Sequence, residues 1–575
     1  MLSNEMGKGY PSATALVEVR AASRVNAKDA SLYDFSPAAQ ACSESFMGWA
    51  DLASNPPYPV QDIQDFADAA IEQGLTDVIL IGQGGSTQAP MTVSKFNKAN
   101  HPQVAFQTID SDSPVRIRGV LSKVKPESTL IILASKSGGT IEPRLALRAV
   151  RSLLASDYGM SEEEIPHHLV AITDPGSKVE QQAHDEGWAA VFSGEPTVGG
   201  RFSALSVFGL LPAALVGIRL DDLMRHALEA ERQCSQDSYD NPAICLASFL
   251  YDNYVQGRDK FAFVSPKRGR VLGLWVEQLV AESLGKEGKG ILPGIEVDTL
   301  LLAKDPGDRT AIVYRVANDS ADERRNFEAS LSCIDAGIPR MEYEIGSVGE
   351  LVEHFVLWEY AIAFCGYLME VCPFDQPDVA VAKAKVLDIL GKGEPEPDFV
   401  DELADGGVDR GQVEVRLAPS LKNCSDLRGA LKALFASVQP GDYVSINAFM
   451  PFAGEGRRES LEAIRHSIAV SCGVAASLEI GPRYLHSIGQ LHKGGPNKGV
   501  FLVLSADEPA DIPLEQEAAS MGSLAKAQAE GELVTLSERG RRCVHLHLPD
   551  NSGVTLRLLA NIVAEVLDDV AADLA

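Results

Sequence analysis

Two short apolar runs end directly in loops of glycine and hydroxyl residues. Asp77-Val-Ile-Leu-Ile81 leads into Gly82-Gln-Gly-Gly-Ser-Thr87, and Thr129-Leu-Ile-Ile-Leu-Ala134 leads into Ser135-Lys-Ser-Gly-Gly-Thr140. Near-continuous runs without alternation suit strands covered on both faces, as in a parallel sheet. The second loop is followed by a helical stretch, Glu142 to Leu154, and Leu169-Val-Ala-Ile-Thr173 and Trp188-Ala-Ala-Val-Phe192 continue the alternation. This order predicts a doubly wound α/β sheet, in which ligands sit beyond the carboxyl ends of the strands. The unusual loops fall at those ends.

Both loops have the chemistry of a phosphate cradle. A phosphate needs several converging N–H and O–H donors, and a helix N-terminus adds backbone donors and a favourable dipole. Glycines allow the backbone to come close. The plainer alternative is a tight strand-to-helix turn with capping hydroxyls. Neither loop has the Walker spacing, and Gly82 and Gly84 are followed by Thr87 where a dinucleotide fingerprint has its third glycine. Nucleotide binding is therefore not expected.

At 575 residues the chain is too long for one core. Residues 1–60 read as an N-terminal helical segment and 61–220 as a first α/β domain. A second domain, 221–395, contains a strand at Lys260–Ser265 and a helix near Trp275–Gly285. Residues 396–412 are acidic and rich in Gly and Pro, as in an exposed linker. Residues 413–575 form a C-terminal α/β segment, with strands at Tyr443–Asn447 and Gly499–Leu504, a helix at Arg458–Cys472 and an amphipathic tail at Thr555–Leu574.

The formal net charge of -29 disfavours nucleic acid and anionic membrane surfaces. An anionic substrate needs a local positive field instead. Nine scattered cysteines without a CxxC pair suit free thiols in a reducing compartment. The N-terminus lacks a signal-type apolar core, and the apolar stretch Leu351–Val371 is interrupted by Glu353, His354, Glu359 and Glu370. It reads as a buried helix, and a cytoplasmic location is expected.

Five segments together resemble the glucose-6-phosphate isomerase family. They are the GGS and SKSGGTIEP loops, Gly199-Gly-Arg-Phe-Ser203, Glu282-Ser-Leu-Gly-Lys286, and Asp375-Gln-Pro-Asp-Val379 with Lys383. The resemblance implies two sugar-isomerase (SIS) type parallel-sheet domains, the second completed by the C-terminal segment. It implies that Gly85, Ser86, Ser135, Lys136, Ser137 and Thr140 hold the phosphate. Glu282 would carry a proton between C2 and C1, Arg201 would face the enediolate, and Gln376 and Lys383 would line the sugar.

Many family members carry a histidine soon after the glutamate, whereas Lys286 to Asn326 contains none. Leu485-His-Ser-Ile-Gly-Gln-Leu-His-Lys-Gly-Gly-Pro-Asn497 resembles the missing turn, which makes His486 the expected equivalent. The placement resembles the isomerase half of bacterial transaldolase/glucose-6-phosphate isomerase fusions. The expected reaction is reversible isomerisation of glucose 6-phosphate and fructose 6-phosphate through a cis-enediol, without metal or organic cofactor. The alternatives are dual specificity that includes mannose 6-phosphate, and a sugar-phosphate sensor that has lost the chemistry. Partnership with a separate transaldolase is a third. A homodimer is an expected assembly.

Taken singly, each residue has a plainer reading. Glu282 could be a salt-bridged helix carboxylate, Lys383 a solvated charge beside Lys385, His486 a hydrogen-bonded structural ring, and Arg201 a helix cap. The chemistry nevertheless assigns them distinct work. A partly dry carboxylate is a suitable base, a permanent guanidinium stabilises charge on oxygen, and histidine exchanges protons near neutrality. A metal site is not expected: His167 and His168 are adjacent, and His545 and His547 share a strand face with no acidic neighbour in sequence.

Overall fold

The computed structural model describes residues 9–97, 104–295, 298–378, 385–386, 389–390, 396–421, 423–514 and 519–574. The chain divides into two compact units. The first comprises residues 1–110, 120–376 and 486–491, and the second comprises 111–119, 377–485 and 492–575.

The first unit contains two parallel sheets. Strands β1 (Asp77–Ile81), β2 (Ala105–Ile109), β3 (Thr129–Ala134), β4 (Leu169–Thr173) and β5 (Ala190–Ser193) stand in the order β2-β1-β3-β4-β5. Every residue of β1 and β4 is buried, as their uninterrupted apolar sequences require. Strands β6 (Lys260–Val264), β7 (Leu292–Ile295), β8 (Arg309–Val316) and β9 (Arg340–Ile345) form the second sheet, in the order β7-β6-β8-β9. Helix α1 (Gly85–Asn97) follows β1, α2 (Ile141–Tyr158) follows β3, and α3 (Arg270–Leu284) follows β6.

Helix α4 (Val348–Met369) is long and apolar enough to cross a membrane, yet 78% of its most apolar window is buried within the protein. Burial holds Glu359 on this helix well above the ordinary carboxylate range. The N-terminal residues, read above as a separate segment, join the same core. Tyr360 of α4 donates to the Ala50 carbonyl at 2.6 Å, and the Tyr33 hydroxyl donates to that of Ala363 at 3.0 Å.

The second unit has its own six-stranded sheet, ordered β10-β11-β17-β14-β12-β13. Its strands are β10 (Phe399–Asp405), β11 (Val408–Leu417), β12 (Tyr443–Phe449), β13 (Ala475–Ile480), β14 (Gly499–Ala506) and β17 (Arg542–Leu548). A two-stranded pair, β15 (Pro513–Leu514) and β16 (Ala519–Ser520), stands apart. Strands β12, β13, β14 and β17 pair in parallel, whereas β10 and β11 are antiparallel.

Two expectations change here. Among the described residues, the C-terminal segment adds no strand to the second sheet; it builds a third, and only His486–Leu491 groups with the first unit. Much of the 396–412 stretch is not linker but the β10–β11 hairpin, turned by Gly406 and Gly407 at φ 54° and 81°. Two consecutive positive-φ residues match the twist of a tight hairpin. The acidic residues that suggested a linker protect an edge strand.

Candidate active site

Strand β1 is flanked by β2 on one side and β3 on the other, so the first sheet changes winding direction between β1 and β3. The two glycine-rich loops follow these two strands and open on the same crevice. Glycine is required here by close approach. A Cβ on Gly85 would stand 2.0 Å from the Gly200 carbonyl oxygen, and one on Gly84 would stand 2.7 Å from the His486 carbonyl oxygen. The paired glycines thus admit the Arg201 turn and the His486 turn against the start of α1.

Ser86 is buried in the first turn of α1 and shares a crevice with Lys136, Gly200 and Ser203. Ser135 is 5% exposed, and its Oγ has no hydrogen-bond partner among the described residues. Ser137 Oγ accepts from the Gly139 N–H at 3.2 Å, and Thr140 is the N-cap of α2 with its hydroxyl left out of the cap. Lys136 is more committed. Its ammonium donates to Asp174 Oδ2 at 2.7 Å and to the Glu195 and Pro196 carbonyls at 3.2 and 3.0 Å. It pins the loop to its neighbours as well as lining the crevice.

Glu282 lies in the last turn of α3, 6% exposed. Its Oε1 is 3.5 Å from Arg201 Nη1, and its Oε2 accepts from Gln278 Nε2 at 3.0 Å. Arg201 is 2% exposed and fully tethered. Nε donates to Ser283 Oγ at 2.7 Å, Nη1 to Gln376 Oε1 at 2.9 Å, and Nη2 to the Pro373 and Asp375 carbonyls at 2.6 and 2.8 Å. Gln376, expected to line the sugar, is thus held by Arg201. Lys383 lies outside the described residues.

The His486 turn closes the arrangement. Gln278 Nε2 also donates to the His486 carbonyl at 2.8 Å, and His486 Nε2 lies 3.2 Å from Glu142 Oε1. An unbroken line of contacts joins Glu142, His486, Gln278, Glu282 and Arg201. Three of its supports were not singled out from sequence. Gln278 stands one helical turn before Glu282, Glu142 stands two residues past Thr140, and Lys286 closes the Glu-Ser-Leu-Gly-Lys segment. The first two could have been found by projecting the motifs onto their helices. Lys286 donates to the Cys372 carbonyl, the Asp375 carbonyl and Asp375 Oδ1, each at 2.6 Å. It anchors the loop that supplies Arg201 with its acceptors. Burial, followed by the nearby Arg201 charge, lowers the Lys286 pKa.

Among the described residues, Cys42, Cys372 and Asp375 bring potential metal-ligand atoms within 4.8 Å of one another. The Lys286 ammonium already neutralises Asp375 there, which opposes a second cation. His547, without an acidic neighbour in sequence, lies 3.1 Å from Asp507 in the fold, and Ser505 Oγ bridges it to His545 at 2.8 Å on either side. Burial pushes both rings below the ordinary histidine range.

The family described as phosphoglucose isomerase matches residues 65–291, a span that contains the two glycine-rich loops, Arg201 and Glu282. A glucose-6-phosphate isomerase of Gloeothece citriformis is 31% identical over 384 residues, covering 58% of this chain and 70% of the relative. One from Mycoplasmopsis pulmonis is 30% identical over 392 residues, covering 60% of this chain and 90% of the relative. The chain belongs to the glucose-6-phosphate isomerase family.

The crystal structure of a hypothetical protein from Thermus thermophilus superposes with a TM-score of 0.56 at 25% identity, covering 68% of this chain and 100% of the other. A glucose-6-phosphate isomerase from Chlamydia trachomatis gives 0.50 at 19% identity, covering 58% and 72%, and so shares the fold. Glucose-6-phosphate isomerase membership accounts for the order of the motifs. His486 and Gln376 lie outside the family-matched span, and geometry alone brings them to the cleft.

Proposed function

We propose that this chain interconverts glucose 6-phosphate and fructose 6-phosphate through a cis-enediol intermediate. The observation that carries the reading is the continuous contact line from Glu142 through His486 and Gln278 to Glu282 and Arg201, beside the two hydroxyl-rich loops. Ser86, Ser135, Ser137 and Thr140 bind the phosphate, with Gly85 keeping the backbone close and Lys136 fixing the second loop. Ser135 Oγ and Gln278 Oε1 are buried without protein partners among the described residues, as groups awaiting a polar ligand would be.

Glu282 takes the C2 proton of the open-chain aldose and returns it to C1. The negative charge that develops on oxygen is met by Arg201, whose orientation is set before the substrate arrives. His486, aligned by Glu142, exchanges the protons of ring opening. The carboxylate and guanidinium favour an active isomerase over a sensor, and mannose 6-phosphate is a second substrate to test. A coupled assay on the purified chain decides: fructose 6-phosphate must be turned over, and binding without turnover would refute the proposal.

A further inference from the structure

The second sheet repeats the winding of the first. Strand β6 has β7 on one side and β8 on the other, so its direction changes between β6 and β8. A cavity of about 250 Å³ lies there, lined by residues that follow the carboxyl ends of both strands. That is the position at which open α/β sheets hold ligands, and the size is just below the range of about 300–1,000 Å³ for small-molecule sites.

Its lining suits a particular chemistry. Lys267 and Arg268 on the loop after β6, with Arg270 at the start of α3, put three cations within four residues, in a chain with a formal net charge of -29. Lys267 is exposed and has no ion-pair or hydrogen-bond partner among the described residues. Arg268 is held in place: Nε and Nη2 donate to the Phe96 carbonyl at 3.1 and 2.7 Å, and the guanidinium lies 4.6 Å above the Phe96 ring. Gly269 lets the loop fold closely over Ser265, since a Cβ there would stand 3.1 Å from that side chain. Asp319, buried just beyond β8, and Glu323 face the same space, and Phe327 also lines it. Cations serve a phosphate, a carboxylate accepts hydroxyl donors, and an aromatic face takes the C–H surface of a polyol.

We propose that this cavity binds a second phosphorylated polyol, its phosphate on Lys267, Arg268 and Arg270 and its hydroxyls on Asp319. The site is separate from the Glu282 cleft and belongs to the second sheet alone. Arg268 also holds the carboxyl end of α1, the helix whose first turn carries Gly85 and Ser86.

The test is calorimetric titration of the full chain with sorbitol 6-phosphate, which has no carbonyl to isomerise. Two molecules should bind per chain. Lys267→Glu, at an exposed position, should weaken one of them at least tenfold. The same variant should leave the thermal midpoint unchanged and the KM for fructose 6-phosphate within twofold. Asp319→Asn should weaken sorbitol 6-phosphate at that site more than it weakens inorganic phosphate. Binding that Lys267→Glu leaves unchanged, whether one event or two, would overturn the proposal. Inorganic phosphate binding there as tightly as the polyol phosphate would reduce the cavity to an anion site and overturn it equally. Calorimetry reads this site whether or not the Glu282 cleft turns over substrate.

Discussion

Glu282 is held between Arg201 at 3.5 Å and Gln278 at 3.0 Å, so its carboxylate is oriented before substrate binds. As the proposed base, it must take and return one proton, which needs that fixity more than reach. Glu282→Gln keeps the shape and the Arg201 contact but cannot accept a proton. Turnover should fall by about 10²–10⁴-fold, the range for loss of a general base, with KM within about threefold. Steady-state kinetics in both directions check this, and an unchanged kcat would move the base elsewhere. His486 is a separate case because its partner is Glu142 and not the Glu282 carboxylate. His486→Ala should slow consumption of ring-closed glucose 6-phosphate more than that of the open-chain form, measured by rapid mixing. Equal slowing of both would place His486 in proton transfer at carbon.

At the level of elements, the Cys372–Gln376 loop is what makes a helix, a turn and a sheet edge into one site. Lys286 at the end of α3 binds two of its carbonyls, and Arg201 binds two, with the Asp375 carbonyl shared by both. Lys286→Met would leave the buried Cys372 carbonyl unpaired, a cost of about 1–3 kcal/mol. It should lower the thermal midpoint and raise KM together, because the loop that carries Gln376 loses one of its two anchors. A lower midpoint with normal kinetics would make Lys286 structural only. Strands β1, β3, β4 and β6 were legible in the sequence because burial on both faces leaves an apolar run that nothing else explains. The β10–β11 hairpin was not, since an edge strand protected by charge has the composition of a linker. The motif residues were legible as types at set spacings. Helix projection places Gln278 beside Glu282 and Glu142 beside Thr140, but their link to the His486 turn was not legible, because it joins stretches far apart in sequence: His486 is 344 positions from Glu142.

At the scale of whole units, the polar interior of the second unit sets how that unit responds to acid. His492 and His545 are each 0% exposed, and burial first, then nearby cations, hold both well below the ordinary value of 6.5. Neither ring nitrogen of His492 has a partner among the described residues; the ring sits between Phe501 at 4.9 Å and Tyr443 at 5.9 Å. Because the folded-state values are depressed, the unfolded chain binds protons first as pH falls. The stability these rings contribute is complete above about pH 6.5 and declines below it, by roughly 1.4 kcal/mol per pH unit for each ring. Glu508 acts in the opposite sense, since burial raises its value above 4.5 and its protonation favours the folded state as pH falls, but one such carboxyl opposes two such rings. Between pH 6.5 and 5 the histidines therefore set the sign, and the thermal midpoint of the second unit's transition should fall steadily. His492→Phe keeps a ring among rings and removes two unpaired nitrogens. It should raise the midpoint by a few degrees at pH 7 and reduce its slope between pH 6.5 and 5. Scanning calorimetry of the full chain across that range checks both effects, and an unaltered slope would mean that the folded protein admits a proton at His492.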